Sequence, residues 1–350
     1  MQRVQSTHAA LGLALALAGG SAVAGTTVYD AFDTPGYSMA DYNAKWANPY
    51  GLGEMSVSDT RSFTAGNFSI KAPVFQTGFD FSVYDHLKYM AASTQSFAVP
   101  VGGTLTFSST ISATAYNTQA AGRLISGSYT QSGLPYAALA LEGQQAGAVM
   151  NMIDFSTGQL FDWFISGSTA FTLIERLPSS VTNPLLKPGD PGYVGIDKMY
   201  TQIIKQVAIG SGPHQASISY SDAGSVSYFL DGTLVSRIDN VGIPLDQQGV
   251  DWSGVYPSYG NGEALSGKIR NLTIGHGLFS LLDAFPFQHP DRPDLAVSIP
   301  LTQRLFGQGM DASFDNFTVT SVPEAQSWAM LLAGLGVVGL VARRRIATRV

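Results

Sequence analysis

One continuous stretch reads Ser225-Val-Ser-Tyr-Phe-Leu230, Asp231-Gly232, Thr233-Leu-Val-Ser-Arg237. In it, two runs rich in β-branched and aromatic residues flank an Asp-Gly pair. Residues of these types favour β-strands. A type I′ turn needs a positive φ at both central residues, which Asp-Gly adopts more readily than most pairs. The stretch therefore predicts a two-stranded β-hairpin.

Thr104–Tyr116 is a longer stretch with the alternating pattern of a β-strand. Its apolar residues alternate with Thr and Ser. A period of two places successive side chains on opposite faces, so this strand is expected to have one buried face. Other short strands, bounded by Gly, Pro, Asn and Asp, are predicted at Thr26–Phe32, Asn67–Ala72, Val149–Phe155, Gln159–Ile165, Phe171–Arg176, Ser266–Gly275 and Ala312–Thr320. Many short strands of this kind indicate an all-β sandwich or barrel.

Two proline-rich stretches interrupt the predicted strands, at Leu177–Val194 and at Phe285–Pro300. Proline has no N–H to donate to a β-ladder, so the first stretch is interpreted as a long surface loop and the second as another proline-rich insertion. A domain linker is the alternative for the first stretch, although the strands on both sides of it fit one core.

Three motifs in chain order carry a resemblance to a known fold. They are Tyr-Phe-Leu-Asp-Gly-x-Leu-Val at 228–235, Gly-Lys-Ile-x-Asn-Leu-x-Ile-Gly at 267–275 and Phe-Asp-Asn-Phe-x-Val at 314–319. Together they resemble the concanavalin A-like lectin/glucanase jelly roll. With Thr201–Ile204 and Arg304–Gln308, they are similar to an uncharacterised bacterial family within that fold. The resemblance covers most of residues 26–320 and implies one jelly-roll β-sandwich over residues 25–321.

The composition is that of an exported protein. Charged residues make up 13% of the chain, and there is no cysteine, so neither disulfides nor thiolate chemistry is available. Residues 25–321 hold 14 Lys and Arg against 24 Asp and Glu, a net charge of −10. An acidic surface repels phosphate backbones, which argues against nucleic acid as a partner.

The first 24 residues have the three parts of a secretory signal peptide. Arg3 gives a positive start, Ala9–Gly20 is apolar, and Ala22-Val23-Ala24 is a small-residue cleavage site. The sequence therefore predicts a signal helix over residues 1–24 that engages the export machinery. A plain membrane anchor is the alternative, against which the short apolar run argues.

The last segment, residues 322–350, combines a short polar motif, an uncharged run over residues 328–342 and an arginine cluster at Arg343, Arg344 and Arg345. As a helix, the run would measure about 22 Å at 1.5 Å per residue, against a hydrocarbon core of about 30 Å. The arginines favour the cytoplasmic side, which leaves the rest of the chain outside. We predict a single, short transmembrane helix. A buried C-terminal helix is the alternative, but an all-apolar helix that ends in three arginines fits a core badly.

This tail closely resembles the PEP-CTERM sorting signal of Gram-negative bacteria. Val322, Pro323 and Glu324 match its Val-Pro-Glu start, the run opens Trp-Ala-Met-Leu at 328–331, and the three arginines follow. Ala325 replaces the usual second proline, a departure that bears on processing efficiency. The resemblance implies a precursor held in the inner membrane through residues 328–342. It also implies cleavage near Pro-Glu by an exosortase, and delivery to the cell surface or extracellular matrix.

No catalytic motif is recognisable. Catalytic members of the resembled superfamily commonly carry Glu-x-Asp-x-x-Glu on one strand, and this chain has no Glu-x-Asp. Residues 25–321 hold only four glutamates: Glu54, Glu142, Glu175 and Glu263. Asp154 and Asp162 flank a predicted hairpin and could face each other, although strand-end aspartates usually cap turns. No catalytic residue is assigned, and the chain is predicted not to be an enzyme.

Four aspartates form a candidate calcium site. Asp30 and Asp33 lie at the first strand and Asp311 and Asp315 at the last, and first and last strands are often neighbours in jelly rolls. Carboxylate oxygens suit Ca²⁺. Solvated strand-end aspartates are the alternative. The histidines show no zinc-ligand spacing, and no other cofactor is expected.

An aromatic loop is the candidate carbohydrate site. Trp252, Tyr256 and Tyr259 lie among Gly and Pro beside Asp251 and Asn261. Sugar sites combine flat apolar rings with a few polar groups. Alternatively, these rings cover the end of the sandwich. We therefore expect a surface or matrix protein that binds or organises extracellular polysaccharide. A polysaccharide-active enzyme and a purely structural matrix protein are the alternatives.

Overall fold

The computed structural model describes residues 24–48, 60–64, 66–71, 87–195, 198, 200–243, 265, 269–280, 297–298, 300–303 and 307–323. Its strands are β1 (Gly25–Asp30), β2 (Trp46–Ala47), β3 (Thr60–Thr64), β4 (Asn67–Lys71), β5 (Leu87–Ser93), β6 (Phe97–Ala98), β7 (Thr104–Tyr116), β8 (Arg123–Tyr129), β9 (Pro135–Ala140), β10 (Gly147–Asp154), β11 (Gln159–Ile165), β12 (Thr169–Arg176), β13 (Tyr200–Ala208), β14 (His214–Ser221), β15 (Ser225–Leu230), β16 (Thr233–Ile238), β17 (Asn271–Phe279), β18 (Val297–Ser298) and β19 (Gly309–Val322). Helices α1 (Met39–Lys45) and α2 (Ser179–Thr182) and 3₁₀ turns at Glu142–Gln144 and Leu301–Gln303 complete the described elements.

Two antiparallel sheets form the sandwich. Sheet A has the order β16-β15-β14-β7-β19-β4-β3, with β1 beside β19, and sheet B has the order β13-β12-β11-β10-β17-β5-β2, with β6 beside β17. A small sheet of β18, β8 and β9 lies apart from them. The first and last strands are neighbours, with Thr26 opposite Thr320. The predicted all-β jelly-roll sandwich is confirmed.

The hairpin predicted from residues 225–237 is confirmed as β15 and β16. Asp231 and Gly232 have φ values of 50° and 77°, so both turn residues have the positive φ that a type I′ turn requires. The Asp231 carboxylate also accepts a hydrogen bond from the backbone N–H of Gln215, at 2.8 Å. The turn is thereby held against the neighbouring strand β14.

The core lies between the two sheets and is strongly aromatic. Leu105, Phe107 and Ile111 of β7 are buried there, as their alternation with Thr and Ser predicts. His276 of β17 lies among the rings of this core, and its Nε2 is 2.8 Å from the hydroxyl of Tyr42. Burial lowers the pKa of His276 to about 3, so the imidazole is neutral at physiological pH.

Sheet B is buried on both faces where sheet A is buried on one. Every residue of β10 and β11 is buried, including those that point away from the core. Part of the predicted surface loop Leu177–Val194 packs on sheet B, because Val181 of α2 contacts Met90 of β5. The surface-loop prediction is therefore wrong for α2 and its neighbours, whereas Leu185 is exposed as expected.

Several predictions fall outside the described residues. These are the signal peptide up to residue 23, the tail from Glu324 onward, and most of the Phe285–Pro300 insertion. The division into segments 1–24, 25–321 and 322–350 stays a prediction, and β19 continues to Val322. Among the helices that the structure describes, none is long and apolar enough to cross a membrane.

Candidate functional sites

The predicted aromatic site lies outside the described residues. This applies to Asp251, Trp252, Tyr256, Tyr259 and Asn261, and equally to Glu324, Arg343, Arg344 and Arg345 of the sorting segment. Val322 is the last residue of β19, and Pro323 follows it. The carbohydrate role of the aromatic loop therefore stays a prediction, and the geometry of candidate sites comes from the two sheets.

The outer face of sheet A carries Ser and Thr in rows that run across the strands. The row through β1, β19, β7 and β14 contains Thr26, Thr320, Thr106 and Ser219. Hydroxyls in this part of the face bond to one another: Thr26 Oγ1 lies 2.9 Å from Thr320 Oγ1, and Thr106 Oγ1 donates to Ser219 Oγ at 2.9 Å. Core residues alternate with these hydroxyls along each strand, so the strands place the whole set on the outward side.

A groove of about 300 Å³ lies further along the same face, where β3, β4, β19 and β7 adjoin. We call it the sheet A groove; its polar lining consists of Ser62, Ser69, Lys71, Ser112, Thr114, Asp311 and Ser313. The row Ser62, Ser69, Ser313 and Ser112 crosses its floor. Beside this row, Lys71 Nζ lies 3.2 Å from Asp311 Oδ2. The other oxygen of Asp311 is enclosed and accepts no hydrogen bond.

Tyr116 lies next to the groove on the same face of β7 as Ser112 and Thr114. It is paired with Gly309 of β19. A Cβ on Gly309 would lie only 2.2 Å from the Tyr116 ring, so the absence of a side chain at Gly309 lets the ring lie close against β19. Lys71 Nζ is 5.8 Å from the centroid of the same ring, within range of a cation–π interaction.

The outer face of sheet B contains a pair of carboxyl groups that sequence reasoning missed. Asp162 of β11 is opposite Asn151 of β10, not Asp154, and Glu175 lies on the adjacent strand β12. The suggestion that Asp154 and Asp162 face each other is wrong. Asp154 instead accepts hydrogen bonds from Ser156 and Thr157 and caps the turn, as strand-end aspartates usually do.

Asp162 is the desolvated member of this carboxyl pair, whereas Glu175 is partly exposed. Asp162 is 1% exposed, and neither of its carboxylate oxygens has a hydrogen-bond partner of normal geometry. Burial raises the pKa of Asp162 well above its usual value, and the negative charge of Glu175 raises it further, against a smaller opposing effect of Asn151. Burial also raises the pKa of Glu175 to about 7. Both carboxyl groups therefore hold their protons to higher pH than solvent-exposed carboxyl groups do.

The surroundings of the pair are apolar. Val149, Phe164 and Leu173 lie on the same face and are fully buried. A carboxyl with a raised pKa can act as a general acid where substrate reaches it. The signal in the sequence was an ionisable residue inside an otherwise apolar strand, Leu160-Phe-Asp-Trp-Phe164.

The four calcium candidates occupy three different settings. Asp30 is buried and accepts hydrogen bonds from Tyr37, Lys45 and Trp46. Asp311 pairs with Lys71 as above. Burial raises the pKa of Asp315, and the negative charge of nearby Asp33 raises it further. In the part of the chain that the structure describes, no group of three or more His, Cys, Asp or Glu is arranged to hold a metal ion. The calcium site stays a prediction.

A protein-family model described as "Family of unknown function (DUF6081)" matches residues 30–323. The chain belongs to this family. In this DUF6081 protein, a model of the PEP-CTERM protein-sorting motif also matches residues 321–345. Both resemblances inferred from the sequence are confirmed. The motif marks this DUF6081 protein for export and for exosortase-mediated sorting to the cell surface or the extracellular space.

Several solved structures are similar to this DUF6081 protein at low identity. Beta-agarase B from Zobellia galactanivorans is 8% identical, with 87% of this chain and 96% of that chain covered and a TM-score of 0.42. The protein in the crystal structure of BuGH16Bwt is 12% identical, with 88% and 97% covered and a TM-score of 0.41. Endo-1,3-beta-glucanase from Streptomyces sioyaensis is 11% identical, with 91% and 100% covered and a TM-score of 0.40. No curated protein matches the chain.

Proposed function

We propose that this exported protein binds extracellular polysaccharide at the cell surface or in the matrix, without cleaving it. The observation that supports this function most directly is the outer face of sheet A. This face presents the hydroxyls of Ser and Thr from neighbouring strands side by side. A face with no binding role has no need of hydroxyls at these positions. Hydroxyls both donate and accept hydrogen bonds, as the hydroxyls of a sugar do.

The test is retention of the full chain, purified in mild detergent, on polysaccharide. Insoluble β-1,3-glucan, agarose beads and calcium-gelled alginate beads serve as the probes, and the soluble fraction is assayed for released reducing ends. The proposal predicts retention on at least one polysaccharide without product release. Absence of retention on all three would refute the proposed function, and product release would replace binding by catalysis.

The carboxyl pair on sheet B favours the second candidate, a polysaccharide-active enzyme. A desolvated pair with raised pKa values is a common feature of catalytic sites. The fully buried apolar side chains around Asp162 argue for a structural role instead. Product release that is abolished by Asp162→Asn, while the protein keeps its melting temperature, would establish the enzyme.

The aromatic loop is a second candidate binding region, and one mutant separates its two readings. If Trp252 is an exposed stacking platform, Trp252→Ala should weaken binding by about 1–3 kcal/mol and change stability by less than about 0.5 kcal/mol. If the ring fills the core, the same change should cost about 3–5 kcal/mol of stability through the cavity that it leaves. Melting temperature and retention are measured side by side.

The sorting step has its own measurement. Cleavage near Pro323-Glu324 predicts that the mature surface form lacks Trp328 and everything after it. Intact-mass spectrometry of the form released from the cell surface gives its C-terminus directly. A C-terminus still at Val350 would contradict processing by an exosortase.

A further inference from the structure

The hydroxyls on the outer face of sheet A differ in their hydrogen bonding. Several near β1 and β14 bond to one another, as in the Thr106–Ser219 pair and the Ser108–Ser217 pair at 2.8 Å. In the sheet A groove they do not: none of the five lining hydroxyls forms a side-chain hydrogen bond with any residue that the structure describes. Five hydroxyls with unused hydrogen-bonding capacity therefore line a concave part of this face.

The groove also contains the other groups that a saccharide site uses. The Lys71–Asp311 ion pair offers a donor and an acceptor, and both side chains remain accessible, at 67% and 44% exposed. The Tyr116 ring lies next to the groove over Gly309. Covering the glycine is a structural role that this ring also performs. An apolar ring beside convergent polar groups is the arrangement that orients a sugar, whose ring faces are apolar and whose edges carry hydroxyls.

We propose that the sheet A groove is a saccharide subsite that holds a segment of a neutral polysaccharide, with the serine row along the sugar edges and Tyr116 against a ring face. This inference rests on the proposed function and assigns it a place and a ligand class. The volume of about 300 Å³ is at the lower end of the range for small-ligand pockets, which suits a short segment of a longer chain.

The preference for a neutral polymer follows from charge. The ammonium of Lys71 is already balanced by Asp311 at 3.2 Å, so the described residues that line the groove offer no unpaired cation to attract a uronate. Residues 25–321 carry a net charge of −10, which repels a polyanion at low ionic strength. Neither the paired Lys71 nor the net negative charge disfavours a neutral glucan or galactan.

The test compares two double variants of the full chain in mild detergent. Ser112→Ala with Ser313→Ala removes two unpaired hydroxyls from the groove, and Ser217→Ala with Thr106→Ala removes two paired hydroxyls from the other part of the face. Affinity gels with soluble β-1,3-glucan, agarose oligosaccharides or alginate measure binding, and circular dichroism melts confirm folding. The proposal predicts about tenfold weaker binding of a neutral ligand for the groove variant and less than twofold change for the control.

Tyr116→Leu gives an independent readout, because it keeps an apolar side chain over Gly309 while it removes the aromatic face. Binding of the neutral ligand should again weaken several-fold, with little change in melting temperature. Equal retention by the parent and both groove variants overturns the groove assignment while the binding function stands. Tighter binding of alginate than of both neutral ligands overturns the ligand class. Failure of the parent to bind any probe overturns the proposed function itself.

Discussion

The outer faces of the two sheets differ in nearly every physical respect. On sheet A, hydroxyls of Ser and Thr alternate with core residues and remain at least partly exposed. On sheet B, the corresponding positions of β10 and β11 are buried and mostly apolar. Strands that are buried on both faces have continuous apolar runs, whereas strands with one open face alternate. Within the described residues, the sandwich therefore has one outer face with exposed hydroxyls and one whose buried side chains stabilise the fold.

The largest expected effect is on stability and tests the buried face. Phe164 is fully buried and packs against Phe171 and Phe279. Phe164→Ala should lower the free energy of unfolding by about 3–5 kcal/mol because of the lost burial and the cavity that remains. Leu234→Ala is the control, since Leu234 is 52% exposed on sheet A, and it should cost less than about 0.5 kcal/mol. Urea denaturation of both variants gives the two values, and similar costs would remove the contrast between the sheets.

The next effect is a pH dependence that comes from the carboxyl groups of Asp162 and Glu175. Burial raises the pKa of Glu175 to about 7, and the pKa of Asp162 is raised as well. The folded state holds protons that the unfolded state releases near pH 4. The protonated pair therefore contributes its full stability below about pH 4, and this contribution is lost as the pH rises through about 7. The loss should be on the order of 2 kcal/mol.

Asp162→Asn tests this assignment, because the amide cannot ionise. The variant should lose less stability than the parent between pH 5 and pH 8, as measured by urea denaturation at each pH. Asp239→Asn, at an exposed residue that pairs with Arg237, is the control and should leave the profile unchanged. A profile that Asp162→Asn does not alter would show that the pair is ionised and solvated in the native protein.

A smaller effect is expected at the hairpin of sheet A. Gly232 has a φ of 77°, and a Cβ added there would meet no atom within 4 Å. The stability cost of a substitution therefore comes from the backbone conformation alone. Gly232→Val should cost about 1 kcal/mol or more, because a β-branched residue resists a positive φ. Thermal melts monitored by circular dichroism give the value. Unchanged stability would mean that the turn has another conformation in solution.

The smallest expected effect concerns the hydroxyls. Ser313→Ala removes an unpaired hydroxyl and should change the free energy of unfolding by less than about 0.5 kcal/mol. Ser108→Ala removes one partner of a bonded pair and should cost up to about 1 kcal/mol. Differential scanning calorimetry measures the stability cost of each substitution. A larger cost for Ser313→Ala than for Ser108→Ala would show that the groove hydroxyls already support the fold.

Local patterns in the sequence predicted much of sheet A. The alternation in Thr104–Tyr116 and the Asp231-Gly232 pair each specify a strand or turn from neighbouring residues alone, and both are confirmed. What could not be predicted depends on which strands become neighbours. Asp162 meets Asn151 and Glu175 only through the registers of β10, β11 and β12. The groove likewise arises where the consecutive strands β3 and β4 adjoin β19 and β7, which come from distant parts of the chain.

The same reason applies to the aspartates of the predicted calcium site. Asp30 was a reasonable calcium candidate by its position at the first strand, but α1 and β2 bring Lys45 and Trp46 to its carboxylate. A carboxylate at a strand end has the same local sequence whether it meets a metal, a cation or water. Only the tertiary neighbours decide among these outcomes, and they lie beyond the reach of a local pattern.

Single-cysteine labelling tests the contrast between the two faces most directly, because the natural chain contains no cysteine. Thr114→Cys places a thiol in the sheet A groove, and Val149→Cys places one on the outer face of sheet B. With the full chain in mild detergent, the account predicts that the first thiol reacts quickly with a maleimide and is protected by a neutral polysaccharide. The second should react only when the protein unfolds. Rapid labelling of Val149→Cys, or labelling of Thr114→Cys that no neutral polysaccharide slows, would contradict it.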